Sequence, residues 1–197
     1  MKLLKRSFAV VALCVMACMQ PNKGRVNEAV ISKLDFGRLN KNAPPETEQY
    51  GQLVGEWECL VTSYRNDTIF AQSVANWIFT YALNGYAIQD YWRNPTKLDS
   101  TNQRQILGTN IRIYNPQLRL WQCAWMANKP NSISGIWLSE VNDVGEILLY
   151  DESKTWQIKF YNITDRAFDW KWDVEQPDGA MGTSVTIEAK KVSVATQ

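Results

Sequence analysis

The chain has 197 residues, 45% of them hydrophobic and 21% charged, with 21 basic against 20 acidic residues and a formal charge of +1. That composition belongs to an ordinary globular domain, and no basic stripe is present to neutralise phosphates, which argues against nucleic-acid binding. There is no histidine, which excludes Ser-His-Asp and Cys-His nucleophile systems, histidine zinc sites and haem on a proximal imidazole.

The first residues read as an export signal. Lys2, Lys5 and Arg6 precede an apolar run over 7–17, too short to span a bilayer but suited to a signal peptide. Val15-Met16-Ala17-Cys18 resembles a lipobox. The expectation is a signal peptide over 1–17 and a lipidated Cys18, with plain secretion or an uncleaved anchor as alternatives. Loss of the three leader cations leaves 18 basic against 20 acidic residues. Residues 18–44, rich in Asn, Lys and Pro, read as a tether, so the domain is expected over 45–197. The implied address is the cell envelope, with a membrane as partner through the lipid. Cys59 and Cys123 then remain, either as a disulfide or as two small buried apolar side chains, the second being favoured.

Pro45 with Glu46 and Glu48 predicts a short helix over 45–53. From Val54 the pattern switches to period two, with Trp57, Cys59 and Val61 on one face. A strand over 69–82 meets a second over 86–93 across Asn84-Gly85, the dipeptide that best marks a hairpin. Further strands are predicted over 106–114, 118–127, 132–141, 146–151, 155–162, 166–175 and 183–194. About ten strands with short connections and no long helix predict an all-β protein. Its expected architecture is an antiparallel up-and-down barrel with a short N-terminal helix. Closure removes the edge strands that would otherwise aggregate.

Nine tryptophans are the positive chemical feature. Each brings a large apolar face and one N–H donor, suited either to core packing or to the walls of a pocket. Leu53-Val54-Gly55-Glu56-Trp57 resembles the Gly-x-Trp opening of lipocalin-like (calycin) barrels. Leu83-Asn84-Gly85-Tyr86-Ala87-Ile88-Gln89-Asp90-Tyr91-Trp92 resembles the signature hairpin of an uncharacterised bacterial family of such domains. Trp77-Ile78-Phe79, Gly108-Thr109-Asn110-Ile111-Arg112-Ile113-Tyr114-Asn115-Pro116, Asn162-Ile163-Thr164 and Phe168-Asp169-Trp170 add to that likeness, which spans roughly 46–194. The resemblance implies a lipocalin-like fold, Trp57 as a plug at one end, and a small-molecule pocket. A related ten-strand branch binds haem through a histidine, which this chain lacks, so haem is not implied.

Parity places Ile88, Asp90 and Trp92 on one face, and Asn110, Arg112 and Tyr114 on another. If the Trp92 face is inward, Asp90 is buried and needs a countercharge, for which Arg112 is the nearest in sequence. The candidate ligand-binding residues are therefore Trp57, Trp77, Asp90, Trp92, Arg112 and Tyr114, with no metal or cofactor expected. The leading expectation is an anchored barrel that binds a small, largely apolar molecule. Its competitors are a filled barrel acting as an interaction module and a small enzyme using Asp90 as base. Asp169, Lys171 and Asp173 alternate with Phe168, Trp170 and Trp172 and read as the outer face.

Overall fold

A computed structural model describes residues 36–97 and 105–192, all within one compact unit, Asp35–Gln197. The expected signal peptide and the lipid site at Cys18 lie outside the described residues. A short helix, α1 (Thr47–Gly51), precedes ten strands. These are β1 (Gly55–Arg65), β2 (Thr68–Ala82), β3 (Ala87–Asn94), β4 (Ile106–Asn115) and β5 (Leu120–Ala127), followed by β6 (Ser132–Val141), β7 (Ile147–Tyr150), β8 (Trp156–Tyr161), β9 (Ala167–Glu175) and β10 (Met181–Lys191). Every strand pairs antiparallel with its sequence neighbour, and β1 pairs with β10 to close the barrel. The fold is thus the expected lipocalin-like up-and-down barrel.

Alternation decides which side chains enter the interior. Trp57, Cys59 and Val61 on β1 stand beside Trp77 and Ala75 on β2, and beside Ala189 and Ile187 on β10, all buried. The intervening Glu58 and Leu60 are exposed. Register shifts interrupt three pairings, at Ser63/Tyr64, Ala124/Met126 and Thr183/Val185. All three lie towards the same end of the barrel, where bulges add local twist and loosen the ladder.

The other end is closed. Helix α1 buries Thr47 and Tyr50, and Leu53 follows them inside. The aromatic side chains here have their polar tips satisfied, as buried aromatics require: the Trp57 indole donates to the Leu53 carbonyl at 2.7 Å, and Trp121 to Gln49 Oε1 at 2.9 Å. The Tyr50 hydroxyl meets Ser139 at 2.8 Å. Above this plug, Trp57, Trp77, Phe79, Phe160 and Phe168 form an aromatic cluster, with ring centroids 4.8 Å apart for the edge-to-face pair Trp57–Phe168 and 5.5 Å for the tilted pair Trp77–Phe160.

Part of the segment read as a tether is held against this closed end. The Tyr81 N–H donates to the Phe36 carbonyl at 2.8 Å, and Asn40 donates from its backbone to Gly85 and from its side chain to Asn84. The hairpin between β2 and β3 accordingly differs from a two-residue turn. Ala82 pairs with Ala87, and Leu83, Asn84 and Gly85 all take positive φ; the Asn84 and Gly85 carbonyls accept from Asn40, while that of Leu83 accepts from the Tyr86 N–H.

Candidate functional site

In an up-and-down barrel alternate connections lie at one end, so the turns after β1, β3, β5, β7 and β9 surround the mouth opposite α1. Register carries the inward parity of the core to this end. Trp92 faces Gly108, Trp125 faces Asn110, and Trp137 faces Cys123. Trp172 faces Ile158, Trp170 faces Phe160, and Trp156 opens β8 opposite Val174. Six inward-parity tryptophans therefore ring the mouth.

Their exposure is informative. Trp57 and Trp121, at the closed end, are wholly buried, whereas Trp92, Trp125, Trp137, Trp156 and Trp170 are half-buried and Trp172 is 37% exposed. These indoles therefore reach solvent at the mouth, whereas the floor beneath them is packed. The indoles lean on one another rather than collapse: Trp137 and Trp156 are 5.0 Å apart, as are Trp77 and Trp92. Gly108 leaves the room that the Trp125 ring occupies, since a Cβ there would collide with it.

Between mouth and plug lies a polar layer. Arg112 Nη1 stands 2.6 Å from Asp90 Oδ2, with the two side chains 3% and 0% exposed. The Asn110 backbone N–H donates to Asp90 Oδ1 at 3.0 Å. The guanidinium also lies over the Tyr50 ring at 5.0 Å and near Phe79 at 5.5 Å. Burial pushes the Asp90 carboxyl above its ordinary value, and Arg112, the Asn110 N–H and the nearby Trp77 indole only partly pull it back. For Arg112 burial acts downward, but the Asp90 carboxylate, with Tyr50 and Cys123, outweighs it and holds the guanidinium charged. Cys123 is a free thiol beside this pair, pushed up to about 11 by burial. Cys59 is likewise buried and free.

Three buried polar atoms of this layer have no hydrogen-bond partner among the described residues: Asn110 Oδ1, Arg112 Nε and Trp77 Nε1. Such atoms are costly in a packed interior unless a water or ligand meets them. They offer one acceptor and two donors around an ion pair that is neutral overall.

The sequence-derived candidates thus divide. Trp77, Asp90, Trp92 and Arg112 form one column from polar layer to mouth. Trp57 and Tyr114 lie at the closed end, Trp57 against Phe168 and Tyr114 against Trp121 at 5.8 Å. Trp125, Trp137, Asn110 and Gly108 join the column through neighbouring strands, and parity counted from Arg112 would have reached Asn110 and Gly108. Both Asp90 oxygens are engaged, Oδ2 by Arg112 and Oδ1 by the Asn110 N–H. Among the described residues no three Cys, Asp or Glu side chains converge as metal ligands.

A recess of about 260 Å³ lies at the β6–β10 side of the rim, lined by the inward-parity Trp156 together with Glu140, Tyr150, Lys154, Gln157, Asp173 and Met181. Its carboxylates are already partnered: Tyr150 donates to Glu140 at 3.1 Å, and Asp173 meets Thr183 at 2.8 Å and Lys171 at 2.5 Å. The Asp169, Lys171 and Asp173 row is therefore on the outer face but bonded along it.

No family model matches the chain, and no curated protein matches it. Among solved structures, an S-type phycobiliprotein lyase, CPES from Guillardia theta, aligns with a TM-score of 0.54 at 11% identity, over 74% of this chain and 92% of that one. A redesigned β-barrel aligns over 74% of this chain and 96% of its own at 13% identity, with a TM-score of 0.39. The likeness to the lyase is one of fold, a lipocalin-like barrel.

Proposed function

We propose that this chain is a bacterial-type envelope lipoprotein, anchored through Cys18, whose barrel takes a small, largely apolar molecule through the tryptophan-lined mouth. The observation that carries the ligand-binding part is the gradient of exposure along inward-parity indoles, sealed at the plug and open at the mouth. Apolar walls with a few fixed polar groups are the usual make-up of a small-molecule site. Trp92, Trp125, Trp137, Trp170 and Trp172 supply the walls. Asn110 Oδ1, Arg112 Nε and Trp77 Nε1 supply the polar fixings, and because Asp90 already neutralises Arg112, they suit an uncharged hydroxyl, carbonyl or amide. Trp57 and Tyr114 serve as the packed floor. The anchor is supported by the charged, apolar and small-residue pattern that ends in Ala17-Cys18.

Two experiments test this reading. The full chain, solubilised from membranes in detergent, is titrated with the neutral apolar dye N-phenyl-1-naphthylamine while indole fluorescence is followed. Quenching is expected, with affinity at least tenfold weaker in Trp92→Ala and strand content unchanged by circular dichroism. Absence of quenching in the wild type, or equal affinity in Trp92→Ala, overturns the site. For the anchor, Cys18→Ser is expected to leave the membrane fraction or to accumulate unprocessed. Normal processing and membrane attachment in that variant overturn it.

A further inference from the structure

The outer wall is not uniform. On the mouth half of β2 to β6, large apolar side chains stand in solvent on successive strands. They include Phe70, Val74, Tyr91, Leu107, Ile133 and Ile136, with Ile133 65% and Ile136 60% exposed. Register sets Tyr91 and Ile133 in one outward row, joined through Thr109 and Met126, and sets Leu107 beside the cation Arg93. Period two predicts polar residues at such outward positions in a half-wet sheet, so the row is an exception to the pattern that built the barrel. Exposed apolar side chains gathered on one side of a rim mark a surface that meets something.

The charges of the rim are segregated in the same sense. Around the apolar half the described ionisable residues are Arg65, Asp67, Arg93, Lys97 and Lys129, four cations and one acid. Around the turns after β7 and β9 they are Asp151, Glu152, Lys154, Glu175 and Asp178, four acids and one cation. Arg65 lies 4.8 Å over the Phe70 ring, so one cation is carried directly on the apolar surface. Lys129 sits at the tip of the turn that leads to Ile133.

We infer that the β2–β6 half of the rim docks on an anionic lipid surface. Apolar side chains that enter the headgroup boundary, flanked by cations that meet lipid phosphates, are the pairing that interfacial binding requires. The opposite, acidic half of the rim faces away from such a surface. This contact involves the barrel itself and does not depend on lipidation at Cys18. In that pose the mouth opens at the lipid boundary, where apolar molecules partition.

Hydrogen exchange of the full chain reads the contact even when the N-terminus is membrane-attached. The protein is mixed with vesicles of phosphatidylcholine alone, and with vesicles that also contain phosphatidylglycerol. Slowed exchange is expected at the start of β2 and at the β5–β6 turn with the anionic vesicles only, reversed by added salt, while the Leu83–Gly85 hairpin turn and the β9–β10 turn are unchanged. Lys129→Glu is expected to weaken the apparent affinity of this protection roughly tenfold, and Ile133→Ser/Ile136→Ser to abolish it. Both changes lie in exposed positions, and circular dichroism confirms the fold. Equal protection by both vesicle types, or no rim protection by either, overturns the inference. So does protection that grows with protein concentration without vesicles, which would identify a second copy as the occupant. A barrel that binds the dye but shows no rim protection overturns this inference alone and leaves the ligand site standing.

Discussion

Replacing Arg112 with leucine tests the polar layer most directly. The substitution removes the countercharge 2.6 Å from a carboxylate that is wholly buried, while keeping an apolar side chain in the space. Stranding one member of a buried ion pair costs about 3–5 kcal/mol. The lost guanidinium contacts with the Tyr50 ring at 5.0 Å and the Phe79 ring at 5.5 Å add about 0.5–2 kcal/mol each, offset in part by leucine packing on the same rings. Against the roughly 5–15 kcal/mol that holds a domain folded, such a loss is about a fifth or more. The pH dependence has a definite sign. Burial already holds the Asp90 carboxyl above its ordinary value, so its contribution to stability is fully present below the unfolded value and is lost as pH rises through the folded one. Removing Arg112 takes away the positive charge that most opposes burial and pushes the carboxyl higher still. Urea unfolding followed by far-ultraviolet circular dichroism should therefore show Arg112→Leu strongly destabilised near pH 7 and partly recovered at about pH 5. The double variant Asp90→Leu/Arg112→Leu should return to within about 1–2 kcal/mol of the parent, because no charge is then left unpaired. A single-variant loss below about 1 kcal/mol, or a double variant no more stable than the single, would refute a buried, mutually dependent pair.

Alkaline stability should fall from about pH 9 to 11, because burial keeps the folded Cys123 thiol protonated to about 11 against 9.0 ordinarily. At 1.36 kcal/mol per unit the loss from this group is roughly 3 kcal/mol, and Cys123→Ala should make the profile shallower by about that amount, the buried Cys59 thiol still contributing; a parent already flat across that window contradicts the placement. Gly85→Ala puts a side chain at φ +83 against the Arg38 carbonyl and the Asn40 N–H, costing about 1–2 kcal/mol in backbone strain alone. It should also expose residues 36–42 to proteolysis, and unchanged protease resistance there would count against the docked segment. Gly108→Ala drives a methyl into the Trp125 ring and should cost about 1–3 kcal/mol, shift indole emission and weaken dye binding several-fold; an unaltered spectrum and affinity would remove Trp125 from the mouth.

Much of the column was legible because its members sit on adjacent strands. Asp90 and Arg112 lie one register step apart across β3 and β4, where Ile88 pairs with Arg112 and Asp90 with Asn110, so a buried acid on one strand found its cation on the next. The hairpin at Asn84-Gly85 was legible as a turn, but its form was not. Three successive residues adopt positive φ there because the segment from Phe36 to Asn40 takes hydrogen bonds from or gives them to the hairpin, and that partner lies 44 residues away for Asn40 and Asn84.

Strand existence, the sets of residues that share a face and the absence of histidine chemistry follow from the sequence alone, since side-chain alternation is a local property of an extended backbone, whereas the closed barrel decides which face is inward. Height along the barrel is not local. Trp57 and Trp172 share the inward parity, yet one is sealed and the other 37% exposed, because stagger between ten strands, three bulges and the plug at Tyr50 decide where each pleat stands between floor and mouth. The gathering of exposed apolar and basic residues on one half of the rim arises in the same way. Residues from Phe70 to Ile136 become one surface only when the closed barrel sets their strands side by side.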